Sequence, residues 1–566
     1  MASSASASQS PIKYKRLRVP RQHGVALQIP PLSQSDQVLK SNLKLLSLNQ
    51  WSHSPDLTSL RKLARIEIVD LANRYSHSYL DRRSELPHLE LKHGENTGAG
   101  PIVMAGHQPE LFHPGVWYKN FALSKLGERF NATAINLVVD NDLSGNTSIR
   151  FPKAWNDQVS LGSLPIIRPG PNVPFENRII EDQEFFQSFD SRVNEAIKQS
   201  NGNWSPMVNR LWPHVLESRQ KLTTNGQLPR LGQLLAAGRH RLESSIGLRT
   251  LEVPISLVAR TQSFAIFAQQ ILSDLSRFHT AYNESLTDYR VAHRIRSRSH
   301  PVPELETDGD WLETPFWFWH VCDEQKSDLG YKPADQGSLP RHHRQRLFAK
   351  RVANKITLSN RNDWKAELEA SEFADQFQQL VNSEIAIRPK ALMTTMFSRL
   401  LVSDLFLHGI GGAKYDQLTD VICERYFGAK LPKYLTLSAT MKLPTDVEII
   451  RKSDLNETNQ LIRELKYHPE LLIHNPSPKA VKLIEEKRRW TIGERANWRS
   501  RQKHLKIESL NESLKHYVDF SVDDLIAKRN TQMKNLRASE ILDSREYSFC
   551  MFPQSLVDEL QKLADW

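Results

Sequence analysis

The sequence predicts an α/β protein: a parallel-sheet core, interrupted by helical insertions and extended by a helical, charge-rich C-terminal region. Three observations carry that expectation. Residues 101–139 run as a short apolar stretch, a turn, a helical segment and a second apolar stretch, the order that opens a parallel sheet. Residues 391–427 read helix, strand, glycine-rich turn, helix, a second α/β unit. From about Asp454 the chain reads as helical and rich in charge.

The 566 residues exceed one ordinary domain, and 39% hydrophobic content with 12 Trp and 22 Phe excludes disorder as the main state. Three scattered cysteines, Cys322, Cys423 and Cys550, argue against a disulfide framework or a thiolate zinc site and for a reducing, cytoplasmic setting. No stretch has the ~18–20 apolar residues that cross a bilayer, so no membrane partner is expected. The net charge of +11 admits nucleic acid or small anions without selecting either.

In chain order, residues 1–35 hold no acidic residue and read as a disordered basic tail, with a targeting signal as the alternative. Residues 36–95 form an N-terminal helical segment, with Leu60, Leu63, Leu71 and Tyr75 among the apolar positions of a helix over 56–82. Residues 96–180 open the core: a strand ends near Ala105, a helix spans about Val116 to Phe130, and a strand spans Ala132 to Val139. Residues 181–248 are a helical insertion. The core resumes over 249–450, with a strand-like stretch at 251–259, one long helix over 262–289 and a buried strand or hairpin at Phe316 to Trp319. Residues 451–566 form the C-terminal helical region. Its stretch Lys479 to Lys506 has ten Lys/Arg against three Glu, with Trp490 and Trp498 interleaved. That pattern suits either a solvated helical hairpin or a polyanion grip.

Two constellations carry chemistry. The first is Gly106-His107-Gln108-Pro109 with His113-Pro114-Gly115, placed where a strand ends and a helix begins, joined by Asp140-Asn141-Asp142 at the end of the next strand. Ligands of open α/β sheets sit at such strand ends, and helix N-termini there offer free N–H groups to anions. Imidazoles in that place can move a proton, and the two carboxylates can take an ammonium group or a metal. The second is Arg388 with Asp404, His408, Gly409, Gly411, Gly412 and Asp416, in which glycines let the backbone approach a ligand. Its spacing matches neither a dinucleotide fingerprint nor a P-loop, and zincin and α/β-hydrolase motifs are absent.

At these residues the chain resembles the BshC family, cysteine-adding enzymes of bacillithiol biosynthesis. GHQPELFHPGVWYKNFALSKL (106–126) and VVDND (138–142) stand where the family has a Gly-Gln-Gln-x-x-Leu stretch, a Gly-Pro turn, a helix and a strand ending in Glu-Asp-His-Asp. IRPKALMTTMFSRLLVSDLFLHGIGGAKYDQLTDVICERYFG (387–428) parallels its Arg-Pro, helix and Tyr-Val-Gly-Gly-Pro turn, and LSATMKL (437–443) its last strand. The resemblance spans most of 40–520. It implies a Rossmann-like core related to HxGH nucleotidyltransferases and a C-terminal antiparallel coiled coil that mediates dimerisation. The chain departs from the family pattern at His107, Asn141 and the 408–412 turn, and it has Lys119 two positions before the expected helix lysine.

The resulting expectation is a ligase or transferase joining an amino-acid-type nucleophile, cysteine in the family, to a small-molecule acceptor in low-molecular-weight thiol biosynthesis. His107, His113, Asp140 and Asp142 are the expected catalytic residues. Gly106, Gln108, Gly115, Asn141, Arg388, Asp404, His408, Gly409, Gly411, Gly412 and Asp416 are the expected substrate-binding residues. A nucleotide such as ATP is open as cofactor, its phosphate placed near the helix opening at Gly115. A nucleic-acid-binding protein using the basic C-terminal helices, and a non-catalytic helical scaffold with a relic core, are the alternatives.

Overall fold

The computed structural model describes residues 12, 14, 17–48, 57–80, 100–145, 147–155, 158–200, 202–223, 227–321, 342–444, 449–492 and 500–566. Residues 1–11, Asp56, Cys322 and Trp498, which enter the expectations above, lie outside them.

The strands are β1 (Val25–Ile29), β2 (Ile102–His107), β3 (Thr133–Val138), β4 (Ser148–Trp155), β5 (Gln158–Pro165), β6 (Leu251–Pro254), β7 (Thr307–Asp308), β8 (Trp311–His320), β9 (Gln345–Val352), β10 (Lys355–Ser359), β11 (Lys365–Glu369), β12 (Ile385–Pro389), β13 (Leu405–His408) and β14 (Tyr434–Thr440). The central sheet runs β1-β14-β13-β2-β3-β6, parallel throughout except for β1. Counted in chain order, its five parallel strands lie fifth, fourth, first, second, third, so the order reverses between β2 and β13.

The central strands are apolar without alternation because both of their faces are covered. Ile102 and Met104 join Ile135, Leu137 and Phe406 in one buried cluster, which the helices Leu57–His77, Gln262–Ser273 and Leu275–His293 cover. Val103 and Ala105 turn the other way. They join Ala134, Leu405, Leu407, Leu435 and Leu437 in a second cluster, packed by the helices Pro114–Phe130, Val208–Leu222 and Leu231–Ser245.

The helices at 114–130 and 410–427 and the strands at 102–107, 133–138 and 405–408 lie where the sequence puts them, within two or three residues. Four expectations are corrected. Residues 25–34 are not tail: Val25–Ile29 pairs antiparallel with β14 and closes that edge of the sheet, and a short helical turn follows at Leu32–Gln34. The helix over 262–289 is two, broken at Asp274, whose non-helical backbone ends one and begins the next. The second part of the core is not uniformly α/β. Strands β7 to β12 build a separate antiparallel sheet, β11-β10-β9-β8-β12 with β7 on β8, and the aromatic run Phe316 to Trp319 lies inside its longest strand. Charged strands such as Lys365–Glu369 hide it from a reading based on apolar runs.

The fourth concerns the C-terminus. Helix Lys452–Tyr467 packs on Val522–Leu542, and Pro478–Ile492 on Ser500–Lys515, as a helical region. The chain then turns back: Tyr547, Phe549, Met551, Leu556 and Leu560 are buried in the second core cluster, and helix Leu556–Ala564 packs on Pro114–Phe130. The final residues therefore belong to the core, where burying five large side chains contributes ~1.5–3 kcal/mol each. Among the described residues, no helix is long and apolar enough to cross a membrane.

Candidate functional site

β2 and β13 are parallel neighbours with Leu407 opposite Ala105, so Gly106-His107 and His408 leave the sheet side by side. The helices that follow them, 114–130 and 410–427, start at the same edge. The reversal of strand order parts these helices to opposite faces and leaves a crevice where ligands of such sheets bind. It holds a cleft of about 690 Å³, lined by both sequence constellations. The antiparallel sheet adds Trp317, the segment before β9 adds Arg344, the segment after β12 adds Lys390, and the returning C-terminus adds Arg545 and Glu546.

His408 is the best-oriented group. Its Nε2 lies 2.7 Å from Asp416 Oδ2, nearly two turns into the following helix, and Asp416 also accepts from Thr395 Oγ1 at 2.8 Å and from Arg399 at 2.5 Å. Burial works to raise the Asp416 pKa, but Arg399 and His408 outweigh it and hold the carboxyl well below its ordinary value. Burial lowers the pKa of His408 in spite of Asp416, which favours the neutral imidazole. With Nε2–H donated to the carboxylate, Nδ1 keeps a lone pair, and among the described residues no hydrogen bond reaches it. Gly412 makes the geometry feasible: a Cβ there would lie 2.6 Å from Nδ1. At Gly409 and Gly411 a Cβ would meet nothing within 4 Å, since both border open cleft. The first turn of helix 410–427 has no side-chain cap, so its amides remain available to an anion.

His107 lines the same cleft but is committed inward. Its Nδ1 lies 3.0 Å from the Gln108 carbonyl, and Nε2 lies 3.2 Å from Asn136 Nδ2 and 3.3 Å from Asn120 Oδ1. Asn136 in turn donates to Glu252, which with Glu243 brackets the buried Arg239. Burial, Arg239 and Lys119 drive the His107 pKa well down. A ring held at both nitrogens is a positioning element of the cleft floor, not a free base.

His113 caps helix 114–130, its Nδ1 accepting from the Gly115 amide at 3.0 Å. Burial, then Arg545 and Lys119, push its pKa down to about 3. Gly115 offers no phosphate seat either. Its amide is taken by that cap, and a Cβ on it would lie 2.3 Å from the Ala439 carbonyl oxygen and 2.5 Å from Arg545 Nη2. The glycine serves close packing.

The two aspartates diverge. Asp140 is buried away from the cleft, accepting from the Ser256 amide at 2.9 Å and the Ser256 hydroxyl at 2.5 Å, and burial with Glu176 nearby raises its pKa to about 7. Asp142 faces the cleft but is held by Arg344 at 3.0 Å and Gln108 Nε2 at 3.1 Å. The pair cannot share a cation, and among the described residues no cluster of three or more His, Cys, Asp or Glu is placed to hold a metal. Asn141 lines the cleft between them, donates to the Pro389 carbonyl at 2.8 Å and keeps a buried Oδ1 without a donor.

Two expected binding residues are structural. Arg388 is fully buried in a two-pronged pair with Glu176, both contacts 2.9 Å. Asp404 precedes β13, at the sheet edge opposite the cleft, where it accepts from Arg61, Arg65 and the Ile102 amide. In the basic C-terminal run, Lys487 is buried against Glu470 and Lys506 pairs with Glu486; none of the described residues of that run lines the cleft.

Lys119 was assigned no role from sequence, yet its signal is visible: one charge inside the apolar stretch Val116–Leu123. It points into the cleft, with Nζ 2.9 Å from the Gly106 carbonyl. Trp317 lies in the run expected as a buried strand or hairpin, Lys390 directly follows the Arg388-Pro389 pair, and Arg344 and Arg545 arrive from segments with no motif of their own.

No protein-family model matches the chain, and a search of curated proteins finds no match either.

Proposed function

We propose that the chain is an enzyme of the BshC type, built on a Rossmann-like core, that joins an amino-acid-type nucleophile, cysteine in that family, to a small acceptor in the switch-point cleft. One observation carries the reading: two constellations some three hundred residues apart in sequence line a single cleft at the point where the strand order reverses. A scaffold with a relic core has no need of that convergence.

The residue roles differ from those the motifs suggest. A nucleophile's nitrogen forms the new bond to an electrophilic carbon, the leaving group departs with the old bond's electron pair, and the nitrogen's proton passes to His408 Nδ1. Asp416 holds the imidazole in the needed tautomer and favours the imidazolium that forms. Charge developing on the acceptor oxygen faces the uncapped amides of helix 410–427. His107, His113 and Gln108 shape the wall. A nucleotide is compatible with this cleft as the source of a leaving group, seated at the 410–412 amides rather than at Gly115.

The test is direct. Purified protein is incubated with cysteine and a panel of small amine- and carboxylate-bearing molecules, with and without ATP, and condensation products are sought by mass spectrometry. A product with wild type that is lost in folded His408→Ala supports the reading. No product with any pair, or full activity in His408→Ala, overturns it.

A further inference from the structure

Lys119 is only 4% exposed, and among the described residues its ammonium has one hydrogen-bond partner, the Gly106 carbonyl. Among the described residues, no carboxylate lies within ion-pair distance of it, whereas the neighbouring cleft cations Arg344, Lys390 and Arg545 are each paired, to Asp142, Glu313 and Glu546. An ammonium buried without a counter-charge is strongly unfavourable. Its field also reaches every histidine of the cleft: Lys119 lowers the pKa of His107, His113 and His408 alike. The cleft thus has a positive centre with two N–H donors unused among the described residues, and the uncapped helix N-terminus at 410–412 lines the same cleft.

We propose that Lys119 is the anchoring counter-charge for an oxyanion of the ligand, a carboxylate or a phosphate, seated between Nζ and the amides of Ile410, Gly411 and Gly412. The inference rests on the reading of this cleft as the binding site, but not on the reaction assigned to it. Burial, with Arg239 nearby, lowers the Lys119 pKa to about 8 in the free protein. An anion favours the charged ammonium and raises that pKa, so binding takes up protons near pH 8 and weakens as pH rises further.

The experiment is calorimetric titration of the full chain at constant ionic strength with malonate and, separately, inorganic phosphate; the stronger binder identifies the oxyanion. Malonate keeps its charge between about pH 7 and about pH 9.5, so its pH dependence reports the protein. Wild type is expected to bind malonate or phosphate at pH 7, with proton uptake near pH 8 seen as a buffer-dependent heat, and malonate at least tenfold more weakly at pH 9.5. Lys119→Met should lose tenfold or more in affinity together with the proton uptake, and Lys119→Arg should retain binding without the fall at high pH. The exposed-lysine control Lys482→Met should match wild type. Equal affinity in wild type and Lys119→Met, or no binding of either anion to wild type, overturns the proposal.

A second readout needs no variant: amine-directed labelling of wild type near pH 8, read by peptide mass spectrometry. The bound anion should protect Lys119 but not Lys482, and unchanged labelling of Lys119 under saturating anion overturns the proposal. Condensation activity that survives without Lys119-dependent anion binding would sink this inference alone. Anion binding without condensation would sink the assigned reaction alone.

Discussion

Asp416 Oδ2 holds His408 Nε2 at 2.7 Å, and the backbone of Gly412 passes so close to the opposite ring nitrogen that a Cβ would lie 2.6 Å from it. Carboxylate and glycine, four residues apart at the start of one helix, together fix an imidazole at the end of the preceding strand.

The two glycines of that helix should therefore respond in opposite ways. Gly412→Ala should displace His408 and lower condensation activity at least tenfold. Gly411→Ala, whose Cβ meets no protein atom, should leave His408 in place and gain a few tenths to about 1 kcal/mol from helix propensity, with any loss of activity coming from the methyl beside the ligand. Urea melts and product formation on both variants check the pair.

Arg388 separates a structural from a binding role. Arg388→Ala leaves Glu176 buried without its partner and should cost about 3–5 kcal/mol in chemical denaturation. A variant of wild-type stability that has lost only ligand affinity would return Arg388 to the binding set.

Asp140 should give stability a pH dependence. Its folded pKa of about 7 lies above its ordinary value of 3.8, so the folded state holds a proton that the unfolded state has released. Its contribution therefore falls as pH rises from about 4 to about 7. Asp140→Asn keeps an acceptor for the Ser256 amide and should flatten that slope, measured as urea midpoints across the window.

Lys119 should be a residue retained at a cost in stability. Its folded pKa lies below the unfolded value, so the unfolded state binds more protons between about pH 8 and 10.5 and wild-type stability should rise across that window. Lys119→Met should be more stable than wild type by roughly 1–3 kcal/mol at pH 7, with the gain shrinking toward pH 10. Thermal melts in the absence of anions measure it.

Much of the core was legible. The strands at 102–107, 133–138 and 405–408 are unbroken apolar runs because both faces are buried, and the glycine-rich turn at 409–412 announces a strand-to-helix junction. The antiparallel sheet of β7 to β12 was not, since strands such as Lys365–Glu369 carry charge. The return of residues 547–564 to the core was equally hidden, because their partners lie hundreds of residues upstream. Within the site, Asp404 could have been placed correctly: it stands before β13 and His408 at its end, and a parallel strand sends those two to opposite edges of the sheet.

The sequence by itself determined which segments become strands and helices, and that two sets of polar residues stand at strand ends, because local apolar periodicity and glycine backbone freedom are properties of neighbours in the chain. Only the tertiary structure decided which of those residues stay free. Glu176 takes Arg388, Arg61 and Arg65 take Asp404, Ser256 takes Asp140 and Asn136 holds His107, each from a distant segment. A buried polar group must be paired, and the partner is chosen by packing, which leaves His408, Lys119 and the 410–412 amides facing the cleft.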